Sequence, residues 1–340
     1  MPESTRHTAP PDAASLPGLR HRLLLPGGAS VTLYPSGPSS LKHDETTPLL
    51  LVHSINATAS AFEMGPVAQR QSKRRPVIAL DLPGFGPSEK PAAHYTPRLM
   101  RDAVEAAIDW ARTHVSAAPI DIMGLSLGCE FVAEAVLRRP ARVRSVTLIS
   151  PTGMEGKRRD ERYEGGRTRE QGWLRRLLRG TRLGPAMYRL LTARPVMRRF
   201  LARSWGTPKF DPGLLAHGHR CAALPGALYA PLDFVSGAMF TRGIIERYRA
   251  LPVPVWVVHG NQGSFTDFDA CPAQTGRRAT AVKRTAIDGG ATPHFQSADA
   301  FDGAFEKFLK RGRPQVSPEL DLRFSEDWEV QLQAELQHGR

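Results

Sequence analysis

Gly124-Leu125-Ser126-Leu127-Gly128 lies between an apolar run, Ile120-Asp121-Ile122-Met123, and a helical pattern that runs from Cys129 to Leu137. A Gly-x-Ser-x-Gly placed between a strand and a helix is a nucleophile elbow. The turn is so sharp that the serine takes a strained backbone conformation, and only small residues at the flanking positions avoid a clash. The hydroxyl is thereby lifted out of the packing to a helix N-terminus, where backbone N–H groups can receive a developing oxyanion. Ser126 therefore reads as a catalytic nucleophile.

An elbow needs a strand before it, a helix after it and a sheet to hold both. Short apolar runs recur along the chain at Arg20 to Leu25, Ser30 to Tyr34, Pro48 to His53, Pro76 to Asp81, Val143 to Ile149, Val253 to His259 and Ala281 to Ile287. Between them lie helical patterns from about Thr96 to His114, after the elbow, near 270–279, and from about Asp299 to Leu309. Continuous apolar strands that alternate with helices predict a mostly parallel sheet covered on both faces. Ligands of such sheets sit at the carboxyl ends of strands, where the polar loops of this chain fall.

Composition narrows the class. The chain has 340 residues, 41% hydrophobic and 23% charged, enough for a substantial core. No run approaches the length of a membrane span, and the first twenty residues lack the continuous apolar segment of a signal peptide. Residues 1–19 read as a flexible leader. Cys129, Cys221 and Cys271 are far apart with no metal-type spacing, so a reducing cytoplasm is expected and neither a metal nor a cofactor is implied. The net charge of +13 is concentrated: Glu155 to Arg249 holds 20 Lys/Arg against 8 Asp/Glu.

The chain resembles an α/β-hydrolase over roughly residues 20–311. The pieces that carry the likeness are Leu51-Val52-His53-Ser54-Ile55-Asn56, Asp81-Leu82-Pro83-Gly84-Phe85-Gly86-Pro87-Ser88, the elbow, His259-Gly260 with a downstream Asp, and Gly289-Gly290-Ala291-Thr292-Pro293-His294-Phe295. The Asp-x-Pro-Gly-x-Gly-x-Ser loop is typical of the branch that carries a helical cap. The resemblance implies an eight-stranded, mostly parallel α/β sheet, with a core over 20–153 and 251–311, a basic cap over 154–250 and an acidic tail over 312–340. Relatives that act as haloalkane dehalogenases or epoxide hydrolases carry aspartate at the elbow, so Ser126 disfavours those chemistries. What remains is acyl transfer to water, with an ester, thioester, amide, lactone or activated carbon–carbon bond as substrate. A non-hydrolytic reaction on the same triad (a perhydrolase or lyase) and a non-catalytic binding protein of the same fold are the alternatives.

A serine hydroxyl is a weak nucleophile at neutral pH and needs a base, itself held by a carboxylate. His294 lies between the last strand and the last helix, where the family places its base; His259 ends a strand and reads as structural. The commonest spacing would place the acid near Gly263, which is no acid. Asp267 is the first candidate, with Asp269 and Glu155 as the others, and the order Ser126, Asp267, His294 matches the fold. Oxyanion donors are expected at the backbone of Leu127 and Ile55. There the chain departs from the family's His-Gly-x-Pro, since Ser54 and Asn56 replace glycine and proline. Ser54, Asn56, Trp205, Phe234 and Phe240 are candidate pocket residues, with Trp173, Met187, Tyr188 and Met239 as further cap candidates.

The basic segment reads as amphipathic helices with arginine outward. From Arg167 to Arg203 there are eleven arginines and one acid, Glu170. Three readings follow: a solvated face, attraction to an anionic substrate or phospholipid surface, and nucleic acid, which is disfavoured because no recognition motif accompanies the charge. Residues 317–340 hold six acids and two arginines, with Trp328, Leu332 and Leu336 at helical spacing. This tail is expected to dock on the cap of its own chain or of a neighbour, giving a homo-oligomer in the second case.

Overall fold

The computed structural model describes residues 14–38, 46–154, 168–263, 268 and 282–311. Strands β1 (His21–Leu24), β2 (Ser30–Ser36) and β3 (Leu49–Val52) precede α1 (Gly65–Gln71), β4 (Val77–Asp81) and α2 (Pro97–His114). Then come β5 (Ile120–Leu125), α3 (Gly128–Arg138) and β6 (Val143–Ile149). An insertion of α4 (Gly172–Gly180), α5 (Leu183–Leu191), α6 (Arg194–Trp205), α7 (Pro212–Ala222), α8 (Tyr229–Val235) and α9 (Ile244–Ala250) follows. The chain returns to the sheet with β7 (Val255–Gly260) and β8 (Val282–Ile287), and ends in α10 (Pro293–Gln296) and α11 (Ala298–Arg311).

The eight strands form one sheet in the order β1-β2-β4-β3-β5-β6-β7-β8. β2 is antiparallel to β1 and β4, and the strands from β4 to β8 are parallel. The fold is thus an α/β sheet of eight mostly parallel strands. Side chains alternate between two cores, because successive residues of a strand point to opposite faces. Leu50, Val52, Ile122, Val146 and Val257 pack with α2, α3 and α9. Leu49, Leu51, Met123, Trp256 and Val258 pack with α1 and α11. On the second face Trp256 lies against Phe301, Phe305 and Phe308, which recur at helical spacing along α11.

Two sequence expectations meet the structure differently. Residues near Ser15 belong to the fold and not to a leader: Ser15 is buried, its N–H donates to the Tyr34 hydroxyl at 2.9 Å, and its hydroxyl donates to Asp81 at 3.0 Å. The helix expected near 270–279, residues 155–167 of the expected cap and the acidic tail lie outside the described residues.

Candidate active site

β5 ends at Leu125 and α3 begins at Gly128, so the elbow has two residues in which to reverse direction. Ser126 absorbs the turn with φ of 52°, a region costly to a residue with a Cβ. The flanking glycines are required by packing. A Cβ on Gly124 would stand 2.9 Å from the Cα of Cys129, and one on Gly128 would stand 2.3 Å from the carbonyl oxygen of His53. That second approach brings the helix start against the loop after β3, and Leu127 and Ile55 both line one cavity.

Ser54, Ile55 and Asn56 are anchored by a residue without a sequence signal of its own. Glu63, in the 3-10 turn Ala61–Met64, accepts from the Ser54 N–H at 3.0 Å and from Asn56 Nδ2 at 2.7 Å. Asn56 Nδ2 also donates to Ser54 Oγ at 3.1 Å, and Asn56 Oδ1 accepts from Thr58 N–H at 2.8 Å. The serine and asparagine that replace the usual glycine and proline thus form a loop tied down by one carboxylate. Burial raises the Glu63 carboxyl above its ordinary range, and these hydrogen bonds pull it back. His53 is fully buried, with Nε2 accepting from Leu82 N–H at 3.0 Å and Nδ1 donating to the Ser54 carbonyl. It fastens the loop to the end of β4.

The cavity above Ser126 has a volume of about 430 Å³ and mostly apolar walls. Ser54, Ile55, Asn56, Ser126 and Leu127 line its core side; Trp205, Phe234 and Phe240 line the side of the insertion. Trp173 does not reach it. Trp173 is 65% exposed on α4. Met187, Tyr188 and Met239 are absent from the lining as well.

His294 is not among the residues that line this cavity. It is fully buried in the single-turn α10, its ring edge-on to Phe301, and the cavity wall is formed instead by Ala291 and Thr292 of the same loop. Its Nε2 donates to the Glu63 carbonyl at 2.8 Å, Nδ1 has no hydrogen-bond partner among the described residues, and no described hydrogen bond joins the ring to Ser126. The ring is thus packed against Phe301 of α11 with its Nε2 on the Glu63 carbonyl. Asp267, Asp269 and Glu155 lie outside the described residues. Gly263, where the commonest spacing would put the acid, has φ of 77°, and a Cβ there would meet the Gly206 nitrogen at 2.6 Å. The end of α6 occupies the space that a carboxylate side chain would need.

Burial without a charged partner holds His294 neutral and lowers its pKa to about 4, the Glu63 carbonyl opposing the shift. The folded value lies below the ordinary one, so the stabilisation is complete above about pH 6.5 and is lost as pH falls through about 4. His294→Gln removes that loss. Between pH 7.5 and 4.5 the stability of the parent should fall by about 2–3 kcal/mol more than that of the variant, as measured by urea unfolding.

Three groups at the site carried no sequence signal. Ser150 follows β6 as Ser126 follows β5, and the pairing of Leu125 with Ile149 sets the two serines side by side. Its φ is 44°, the other positive value at a described residue that is not glycine. Ser150 and Thr292 line the cavity, and their buried hydroxyl oxygens have no hydrogen-bond partner among the described residues. They are hydroxyls ready for a polar ligand atom. His217 of α7 lines the cavity too, stacked on Phe62 at 4.7 Å and held neutral by burial, with a pKa lowered to about 4.

Behind the wall, Glu130 of α3 joins core to insertion. It accepts from Thr152 Oγ1 at 2.5 Å and from Thr241 N–H at 2.7 Å, and burial pushes its carboxyl up to about 7. Its folded value lies above the ordinary one, so this contribution is complete below about pH 4.5 and lost as pH rises through about 7. Glu130→Gln, which can still accept from Thr241 and donate to Thr152, should be about 1–3 kcal/mol more stable than the parent at pH 8 and equal to it near pH 4.5. Urea unfolding at the two pH values measures this.

Comparison with known proteins gives a consistent picture. The family model described as alpha/beta hydrolase fold matches residues 47–216. The chain is 29% identical over 134 residues to the 2-hydroxymuconate semialdehyde hydrolase of Pseudomonas putida, covering 39% of this chain and 44% of that protein. It is 27% identical over 114 residues to the human (lyso)-N-acylphosphatidylethanolamine lipase, covering 34% of this chain and 33% of that one. The chain therefore spans less than half the length of these curated relatives. Among solved structures, the 2-hydroxy-6-oxo-6-phenylhexa-2,4-dienoate hydrolase from Rhodococcus sp. strain RHA1 superposes with a TM-score of 0.64 at 18% identity, over 86% of this chain and 98% of that one. An esterase from Exiguobacterium antarcticum superposes with a TM-score of 0.63 at 13% identity, over 85% and 98%. With half of its length matched by that family model, the chain belongs to the alpha/beta hydrolase fold family.

Proposed function

We propose that this protein is a hydrolase that cleaves an acyl bond of a small, largely apolar compound, with Ser126 as nucleophile and the α4–α9 insertion as the cap over its pocket. The observation that carries the reading is Ser126 itself: strained at φ 52°, lining the cavity, at the start of α3. In this reading Ser126 Oγ gives its proton to a base and attacks the acyl carbon, and the carbonyl oxygen becomes an oxyanion between the Leu127 and Ile55 N–H groups. Its collapse breaks the acyl bond and the leaving group departs with that proton, after which water attacks the acyl-enzyme, frees the acid and restores Ser126. The hydroxyls of Ser150 and Thr292 hydrogen-bond the polar part of the substrate, and Trp205, Phe234 and Phe240 cover its apolar part. The curated relatives whose names include hydrolase or lipase support the reaction class.

One base must take the Ser126 proton and pass it to the leaving group. His294 becomes the base if its ring leaves the Glu63 carbonyl when substrate enters, catalytic hydrogen bonds often tightening only in the complex; Asp267 would then orient it. A second reading, a binding protein that keeps the fold without turnover, is favoured by one observation: Ala291 and Thr292, and not an imidazole, form the pocket wall in that loop. A fluorophosphonate probe, which needs an activated serine, separates the two. Labelling of the parent that is lost in Ser126→Ala and in His294→Gln supports the triad. Labelling that survives His294→Gln removes His294 as base, and a parent that resists the probe favours the binding protein.

A further inference from the structure

Exposed arginine and exposed large apolar side chains coincide on one part of the surface. Residues 171–210 contain nine arginines, one lysine and no acid. The structure divides those arginines. Arg175 and Arg179 turn inward to Asp233, at 3.1 and 3.9 Å, and Arg179 also lies over the Tyr229 ring. The side chains of Arg176, Arg182, Arg194, Arg198 and Arg199 are exposed and form no ion pair or hydrogen bond with another described residue. Of the eight large hydrophobic residues exposed on the described surface, five fall in the same stretch: Trp173, Leu177, Leu183, Leu190 and Phe200. Trp173 and Leu177 are one turn apart on α4, and Leu183 and Leu190 are two turns apart on α5, each pair sharing a helix face. α4 packs on α5 and α5 on α6, so the three helices that carry these side chains are neighbours.

From this we propose that the outer face of α4, α5 and α6 docks on the surface of an anionic phospholipid bilayer. Arginine attracts the lipid phosphates, and the interleaved Trp and Leu side chains enter the boundary between headgroups and acyl chains. Charge and apolarity together select this partner. A nucleic acid would engage the arginines but leave five large apolar residues in water. A second copy placed by a two-fold axis would set this face against itself and bring like charges together. The proposal stands independently of the reaction at Ser126, although Phe200 and Leu191 connect the docking face to the cavity wall beneath it.

Flotation of the full chain with diether phospholipid vesicles tests the proposal, because such lipids hold no ester and catalysis cannot affect the result. Vesicles of phosphatidylcholine containing phosphatidylglycerol should carry the protein at about 0.1 M salt at least tenfold more strongly than phosphatidylcholine alone, and less strongly at about 0.5 M. R198Q/R199Q should lower the partition coefficient by about thirtyfold. W173A/L190A should lower it by about tenfold or more. All four side chains are exposed, so unchanged thermal unfolding verifies that both variants are folded. Failure of the parent to float, equal flotation on neutral vesicles, or parent-like flotation of both variants overturns the proposal. Self-association in sedimentation that W173A/L190A abolishes, without flotation, overturns it in favour of a protein interface.

Discussion

Replacing Ser126 by alanine is expected to abolish covalent labelling by a fluorophosphonate and to lower turnover of the best substrate in an ester, thioester and lactone panel by about a thousandfold or more. The size of the effect follows from what the hydroxyl does: without Oγ no acyl-enzyme forms, and only the oxyanion donors and the cavity remain. The fold should survive, because Ser126 Oγ makes no hydrogen bond with the described residues and alanine retains the Cβ that the strained turn already accommodates. Ser126→Ala should therefore match the parent in thermal unfolding, or exceed it slightly. Equal turnover before and after the change would remove Ser126 from the mechanism.

Gly128→Ala is expected to act in the opposite way, through the fold. Alanine is the better helix former by about 1 kcal/mol, which alone would predict stabilisation at the start of α3. The Cβ, however, would stand 2.3 Å from the His53 carbonyl oxygen, a backbone atom fixed by β3 and by the loop that Glu63 ties down. Relief requires moving the elbow or the oxyanion loop, at a cost of about 3 kcal/mol or more. The midpoint of thermal unfolding should fall by roughly 6–12 °C. Gly124→Ala, whose Cβ meets the Cys129 backbone at 2.9 Å, should cost less. Probe labelling of Ser126 should fall together with stability in Gly128→Ala, since the same displacement opens the space between Leu127 and Ile55. A variant as stable as the parent would show that the close approach of the two loops is not required.

The architecture was legible because each strand carries its own evidence. Leu49 to Val52, Val77 to Asp81 and Val255 to Gly260 are continuous apolar runs buried on both faces, and their order with the intervening helices defines the sheet. Pro97–His114 begins one residue after Thr96, whose hydroxyl accepts from Leu99 N–H as an N-cap, a local signal that needs no tertiary information. The Ser126 turn was legible for the same reason: its steric demand is written in the two glycines beside it. Ser54, Asn56, Trp205, Phe234 and Phe240 stand near strand ends or in the insertion, and all five line the cavity.

What the sequence by itself determined is the sheet, the elbow and the concentration of arginine between β6 and β7, because periodicity, local sterics and charge act within a few residues. Tertiary structure alone decided which loop residues face the pocket. The loop after β8 presents Ala291 and Thr292 and buries His294 beneath Glu63, the register of β5 with β6 sets Ser150 beside Ser126, and the end of α6 closes on Gly263. Each of those outcomes depends on the distance between segments remote in the chain, and spacing along a sequence carries no information about distance across a fold.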